Sequence, residues 1–173
     1  MPRHTETRIV PFRPEQLFDL VADVARYPDF LPWCRGARVR SRSEGEMVAD
    51  MTIGFGPFRE SFTSRVLLDR PGRIDVRYEN GPFRYLANQW RFEPASGGCQ
   101  VHFHVDFEFR SKLLQVAIGA VFHETVRRMV AAFLARARTV YGPAALRREQ
   151  TRIDGREPGG MLERTASEPG AGP

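Results

Sequence analysis

Long apolar runs and cysteine are both scarce in this chain of 173 residues. The longest uncharged apolar stretch, Leu113 to Phe122, is about half the length that a helix needs to cross a bilayer. The first ten residues lack the apolar core of a secretory signal. Cys34 and Cys99 are too few for a disulfide framework, and their spacing matches no zinc motif. The sequence therefore predicts a cytoplasmic protein with reduced thiols.

Recognised catalytic motifs are missing as well. The sequence has no glycine-rich phosphate loop, no nucleophile elbow and no zinc-protease motif. His102 and His104 share one face of a predicted strand with Asp106, but that face alternates away from the apolar side and is expected to be solvated. We therefore predict a protein that is not an enzyme, with no catalytic residue, no metal site and no cofactor.

Lysine is almost absent, because 25 of the 26 basic residues are arginine and Lys112 is the exception. The net charge is +5. Arginine can reflect genomic base composition alone, or it can serve an anionic partner such as ribosomal RNA or a phospholipid surface. Arg38, Arg40 and Arg42 alternate along a predicted strand, so we expect them on its outer face as a candidate anionic-surface contact.

The composition changes after Tyr141. Residues 142–173 contain six glycines and four prolines but no aromatic residue, whereas all 13 phenylalanines precede them. Such a segment buries too little apolar area to offset chain entropy. The sequence predicts a folded domain over residues 1–141 and a disordered tail over residues 142–173.

Hydrophobic periodicity predicts the order of elements inside this domain. A strand over residues 3–10 precedes a helix over 14–24, and Pro28 and Pro32 then limit residues 27–34 to a short turn or helical stub. Six period-two segments follow, at residues 37–44, 46–55, 58–68, 73–79, 85–93 and 99–109. A helix with Ser111 as N-cap is expected up to Tyr141. The pattern predicts an α+β fold, in which a curved antiparallel sheet of about seven strands wraps around a long C-terminal helix.

Large aromatic residues concentrate on the inward face of the predicted sheet. They can belong to a packed core, or they can line a cavity between the sheet and the last helix. The helix is apolar nearly all round from Leu113 to Phe122, and a helix on one side of a sheet needs only a stripe. The additional apolar surface must meet a ligand, a membrane or a second copy of the chain.

Three segments resemble a known family. They are residues 21–34, which contain Tyr-Pro-Asp-Phe-Leu-Pro-Trp-Cys, residues 81–92 and residues 111–124. Together with the order of elements they resemble the coenzyme-Q-binding protein and ribosome association toxin family. This family belongs to the START-like superfamily, which also includes the polyketide cyclases and the Bet v 1-like proteins. The resemblance covers residues 3–141.

The resemblance implies a helix-grip fold with a hydrophobic tunnel that binds a polyprenyl quinone, ubiquinone, without catalysis. Such binding would support respiratory electron transfer or quinone biosynthesis. Together with the aromatic face, it makes the following residues candidate ligand contacts: Tyr27, Phe30, Leu31, Trp33, Phe55, Phe62, Tyr78, Trp90, Phe103, Phe107, Leu114, Ile118, Val121, Phe122 and His123. Candidate donors to the quinone head group are Tyr78, Tyr85, Gln89 and His123.

Delivery of a quinone would require peripheral contact with the inner membrane, for which the arginines and the segment around Phe30, Leu31 and Trp33 are candidates. Two other functions stay open. The arginine surface suits a protein that binds the large ribosomal subunit and blocks subunit association, and the superfamily includes polyketide cyclases and aromatases. A homodimer through the apolar helix also stays open.

Overall fold

The computed structural model describes the backbone of residues 2–153 and the side chains of residues 2–142. A first strand and two short helices, joined by a 3₁₀ turn at Val24–Arg26, precede the other strands and a long final helix. The elements are β1 Arg3–Val10, α1 Pro14–Ala22, α2 Tyr27–Phe30, β2 Cys34–Arg42, β3 Glu46–Phe55, β4 Phe58–Asp69, β5 Arg73–Asn80, β6 Phe83–Ala95, β7 Gly98–Phe109 and α3 Lys112–Ile153.

All neighbouring strands are antiparallel, in the order β1-β7-β6-β5-β4-β3-β2. Strands β2 to β7 follow one another as a meander, and β1 forms one edge of the sheet by pairing with β7. Gly98 begins β7 with φ 144°, and a Cβ there would lie 2.1 Å from the Val10 carbonyl oxygen. Only glycine fits this close approach of the two strands. The predicted α+β helix-grip fold with seven strands is confirmed.

Alternation along the strands separates a buried face from a solvated one. In β7 the side chains of Phe103, Val105 and Phe107 are buried, while His102 and His104 between them are half-buried on the opposite face. Cross-strand partners share a face, so the buried Trp90 of β6 lies directly opposite Phe103. The concave face of the sheet is thus aromatic and apolar.

The start of α3 is fixed by two side chains. The Leu114 N–H donates to the Ser111 hydroxyl oxygen at 3.3 Å, which confirms Ser111 as N-cap. The Gln115 side-chain oxygen accepts from the Phe109 N–H at 2.8 Å and ties the helix to the end of β7. The buried stripe of α3 then runs along the concave face of the sheet: Leu114, Ile118, Phe122, Val126, Phe133 and Ala137.

The helix breaks at Gly142, where φ is 65° and ψ is 166°. Just before the break, the Tyr141 hydroxyl donates to the Gln16 carbonyl at 2.7 Å and anchors α3 on α1. Residues 143–153 are helical again, where the sequence predicts a disordered tail. Pro143 suits the first turn of a helix, and most of the residues after it are strong helix formers. The remainder of that predicted tail, residues 154–173, lies outside the described residues.

Two other boundaries differ from the prediction. The first helix ends at Ala22 rather than residue 24, and the chain continues through the 3₁₀ turn into α2. Strand β2 begins at Cys34, several residues before the predicted start. Between residues 2 and 153, no helix combines the length and the apolar character needed to span a bilayer.

Candidate functional site

A cavity of about 180 Å³ lies between the concave face of the sheet and α3. Side chains of α1, the 3₁₀ turn and α2 line it at one side, and β3 to β7 form its floor. We call the residues that line it the cavity wall. Its largest contributors from the sheet are aromatic, and Ile118, Phe122 and Phe133 of α3 face them.

The cavity wall is almost entirely apolar. Among the described residues that line it, none is Asp, Glu, Lys, Arg or His. The hydroxyls of Tyr27 and Thr125 donate to the carbonyls of Val21 and Val121, so both are satisfied within the chain. Burial raises the pKa of Tyr27 far above its ordinary value, and this phenol is therefore neutral.

Ser64 and Asn88 are polar side chains on the floor, and the Asn88 side-chain oxygen has no hydrogen-bond partner in the described part of the chain. Ser64 is 4% exposed. The Asn88 side-chain oxygen is fully buried, and so is the indole nitrogen of Trp33 on the same wall. Buried polar atoms in folded proteins are almost always paired, so these atoms are prepared to bind a group that enters the cavity.

Most of the predicted ligand contacts lie on the cavity wall. Three come from α2 and the turn that follows it, five from the sheet and two from α3. They are Tyr27, Leu31, Trp33, Phe55, Phe62, Trp90, Phe103, Phe107, Ile118 and Phe122. Whether they contact a ligand stays a prediction, but the structure brings them around one space.

Val121 and His123 are a correction, because neither lies on the cavity wall. Val121 is 44% exposed, and His123 is exposed as well. Each residue of a helix is rotated by about 100° from the next, so the two residues beside the inward-facing Phe122 point to either side of it. Adjacency to Phe122 therefore does not by itself place Val121 or His123 on the wall.

Three other candidates lie near the cavity without lining it. Phe30 packs against Tyr27 and Phe133 with ring centroids 5.9 and 5.3 Å away. Leu114 is buried at the start of the α3 stripe. The Tyr78 hydroxyl accepts from the Phe83 N–H at 3.2 Å, which closes the β5–β6 turn.

The predicted donors to the quinone head group also lie away from the cavity wall. The Tyr85 hydroxyl donates to Asp106 at 3.2 Å on the outer face, and Gln89 is exposed on the same face.

The polar residues that do reach the cavity are not among the residues that the sequence predicts. Their positions carried a usable signal: Asn88 stands between the inward-facing Leu86 and Trp90, and Ser64 has the same parity as Phe62 in β4.

The outer face of the sheet carries arginines, as predicted, but the row of three on β2 is interrupted. Arg38 lies opposite Asp50, and Arg40 donates to the same carboxylate at 2.5 Å. A bulge between Val39 and Ser41 places Arg42 opposite the buried Met47 instead. An extra residue reverses the alternation, so Arg42 leaves the row.

Further arginines lie directly opposite one another in neighbouring strands on this outer face. Arg65 lies opposite Arg77, and Arg73 lies opposite Arg91. Arg65 forms ion pairs with Glu46 and Glu79, while Arg73 pairs with Asp75. In the described part of the chain, Arg77 and Arg91 have no ion pair.

Neither cysteine is activated. Cys34 and Cys99 are buried, and burial raises the pKa of each thiol to about 11. Among residues 2–142, whose side chains the structure describes, no cluster of three or more His, Cys, Asp or Glu side chains could hold a metal ion.

Comparison with known proteins places these features in a family. Residues 10–134 match the family described as polyketide cyclase / dehydrase and lipid transport. The ribosome association toxin RatA of Escherichia coli K12 is 40% identical over 142 residues, which are 82% of this chain and 90% of that protein. The mitochondrial coenzyme Q-binding protein COQ10 homolog B of Xenopus laevis is 34% identical over 144 residues, which are 80% of this chain and 59% of that one.

Solved structures show the same fold. The 18 kDa protein CC1736 from Caulobacter crescentus is 39% identical, with a TM-score of 0.68 over 82% of this chain and 99% of that one. The ZhuI aromatase/cyclase from Streptomyces sp. R1128 has the same TM-score, 0.68, over 80% of this chain and 94% of that one at 22% identity. At 22% identity, the likeness to the aromatase/cyclase shows a shared fold only.

Proposed function

The chain belongs to the polyketide cyclase/dehydrase and lipid transport family, and we propose that it binds a polyprenyl quinone, ubiquinone, in the cavity between the sheet and α3. The observation that carries this proposal is the uncharged, aromatic cavity wall with its few polar atoms. A relative at 34% identity that is named as a coenzyme Q-binding protein supports it.

The energetics of such binding come mainly from burial of apolar surface. Each methylene group removed from water contributes about 0.8 kcal/mol. The volume of about 180 Å³ is near that of a benzene-binding cavity, about 150 Å³, and below the ~300–1,000 Å³ of drug-sized sites. A ring-sized head group therefore fills the cavity, and the tail extends beyond it.

The proposed role is that of a non-catalytic carrier. Proton transfer needs a side chain with a pKa near the working pH, and the wall offers hydroxyls and one amide instead. Binding would keep a water-insoluble quinone available for respiratory electron transfer or for its own biosynthesis. Neither a cofactor nor a covalent step enters this role.

A site for peripheral membrane contact is offered by the outer side of α3. Leu113 is 68% exposed and Val116 is 74% exposed, with Lys112 beside them. By contrast, Leu31 is only 2% exposed and Trp33 is half-buried on the cavity wall, so the predicted segment around them faces inward. Exposed aliphatic side chains next to a cation suit an anionic lipid surface. Pairing of two copies through the same patch would give a homodimer instead.

The direct test is to purify the protein from its native host and to analyse the extracted lipid by mass spectrometry. The proposal predicts a polyprenyl quinone in the extract, and uptake of ubiquinone by the delipidated protein from vesicles. An extract repeatedly free of quinone, with no uptake on reconstitution, would reject the proposal.

A second function is favoured by the outer face. Like charges directly opposite one another destabilise a sheet, and an anionic partner would relieve the Arg65–Arg77 and Arg73–Arg91 juxtapositions. The relative named as a ribosome association toxin, at 40% identity, supports the ribosome as that partner, and the large subunit is the particle we propose.

Co-sedimentation with large subunits at several salt concentrations tests this second function. Binding through phosphates should weaken steeply as salt rises, and Arg77→Glu with Arg91→Glu should abolish it. Arg138→Glu, at an exposed position of α3, is the matched control. Absence of co-sedimentation at low salt would exclude ribosome binding and leave the quinone proposal untouched.

A further inference from the structure

The floor of the cavity holds two polar side chains, Ser64 and Asn88, among apolar neighbours. Ser64 of β4 is 4% exposed, and the Asn88 oxygen of β6 is buried without a partner in the described residues. Leaving a buried polar group unpaired costs free energy of folding. Apolar side chains at both places would avoid that cost, as they do at the neighbouring wall positions Val66 and Val76.

The two side chains are too far apart to contact one ligand atom together. Asn88 lies opposite Val76, which in turn lies opposite Val66, and Ser64 is two residues further along β4. Two strand spacings of about 4.8 Å and two residues of about 3.3 Å, taken at right angles, separate their backbones by roughly 12 Å. A hydrogen bond spans about 3 Å, so a ligand that satisfies both must present polar atoms on two sides of a ring-sized group.

The chemistry of the two side chains also restricts the charge of the ligand. A hydroxyl and an amide both donate and accept, so they match carbonyl oxygens and hydroxyl groups equally well. Among the described wall residues no cation is present to neutralise a carboxylate or a phosphate. Burying an unpaired charge is far more costly than burying a paired polar group.

We propose that Ser64 and Asn88 form a two-point site that binds opposite oxygens of a neutral ring head group and thereby selects neutral over anionic lipids. The inference rests on the proposed binding of a quinone, and it adds which residues recognise the head group. It replaces the four donors that the sequence suggested, each of which lies off the wall. A quinone and its reduced quinol both satisfy the site, because both side chains donate and accept.

The first experiment compares a short-tailed ubiquinone with a prenylbenzene that has the same tail but no oxygen. Trp33 and Trp90 are the two tryptophans of the chain and both line the cavity, so intrinsic fluorescence reports on its occupancy. The inference predicts that the quinone binds at least about tenfold more tightly than the hydrocarbon. Equal affinities would overturn the two-point site while still supporting an apolar binding cavity.

The second experiment uses Asn88→Leu, Ser64→Ala and the double variant. Each single change should weaken quinone binding about tenfold, and the double variant about a hundredfold, because separate contacts add. Prenylbenzene should bind all variants as it binds the original protein, which shows that the cavity is intact. Gln89→Leu is the matched control, because this amide lies next in sequence on the exposed outer face.

The third experiment compares farnesol with farnesyl diphosphate, which share a tail and differ in charge. Farnesol should bind and the diphosphate should not. Tight binding of the diphosphate, or an unchanged quinone affinity in the double variant, would overturn the inference. Failure of quinone, prenylbenzene and farnesol alike would reject the proposed function together with it.

Discussion

The indole ring of Trp90 meets the phenyl ring of Phe133 edge to face, with the ring centroids 5.4 Å apart at an angle of 67°. This contact joins β6 of the sheet to α3. Phe133 also meets the ring of Tyr27 at 5.4 Å, so one helical side chain binds the sheet and α2 together. The packing of α3 against the sheet thus depends on a small aromatic cluster of Tyr27, Trp90 and Phe133 at one side of the cavity.

Truncation of Phe133 should therefore destabilise the whole domain. Phe133→Ala removes a side chain that is only 7% exposed, and such changes cost about 3–5 kcal/mol. Urea unfolding followed by circular dichroism measures the free energy of unfolding. Val140→Ala, at a position that is 50% exposed on the same helix, should cost less than about 1 kcal/mol. Equal effects of the two changes would contradict the role of the cluster.

Two adjacent residues of α3 provide a test of which helical face lines the cavity. Phe122 is 6% exposed and lies on the wall, whereas Val121 is 44% exposed and does not. Phe122→Ala should weaken binding of a short-tailed ubiquinone by about tenfold or more, because it removes apolar contact with the ligand. Val121→Ala should leave the affinity within about twofold. A larger effect at Val121, measured by the same fluorescence titration, would place the ligand elsewhere.

The sequence predicts the fold well, but it predicts poorly which residues of the last helix face the sheet. Alternation in β7 is regular, and all of its inward positions are buried or half-buried as expected. The segment from Leu113 to Phe122 is apolar on every side, so its own pattern does not say which residues face the sheet. The inward-facing side is set by Val126, Met129 and Phe133 further along the helix, so the apolar segment alone does not exclude Val121 and His123 from the wall.

Three other features needed the structure for different reasons. The bulge that moves Arg42 out of its row depends on strand pairing, which no local pattern in β2 reveals. Ser64 and Asn88 are polar, so the alternation of apolar residues alone does not place them on the wall. A packed core and a cavity have the same composition, so only the arrangement of side chains distinguishes them.

Both cysteines should resist alkylation in the folded protein. The thiolate is the reactive form, and burial raises the pKa of Cys34 and of Cys99 to about 11. Iodoacetamide at pH 8 should leave the native protein unmodified and should label both thiols in urea, as read by mass spectrometry. Rapid labelling of either cysteine under native conditions would show that its thiol is accessible and ionised.

The raised pKa values of the two thiols also predict that the free energy of unfolding falls at alkaline pH. The ordinary pKa of a thiol is 9.0 and the folded value is about 11, so the folded chain holds these protons more tightly than the unfolded chain. The contribution is complete below about pH 9 and is lost as the pH rises towards 11. Burial raises the pKa of Tyr27 as well, so this phenol adds to the loss above pH 10.

Urea midpoints at pH 8 and pH 10 measure this loss. The doubly substituted protein, with Cys34→Ala and Cys99→Ala, should lose less stability between the two pH values than the original chain. An identical loss in both proteins would assign the alkaline instability to other groups.

The central claim is that the cavity between the sheet and α3 binds a polyprenyl quinone. A titration of delipidated protein with short-tailed ubiquinone, followed by the fluorescence of Trp33 and Trp90, tests it most directly, because both indoles line that cavity. We expect saturable quenching with one quinone per chain, and we expect Trp33→Phe and Trp90→Phe each to leave a quenched signal from the other indole. Linear, unsaturable quenching equal to that of free tryptophan would contradict it.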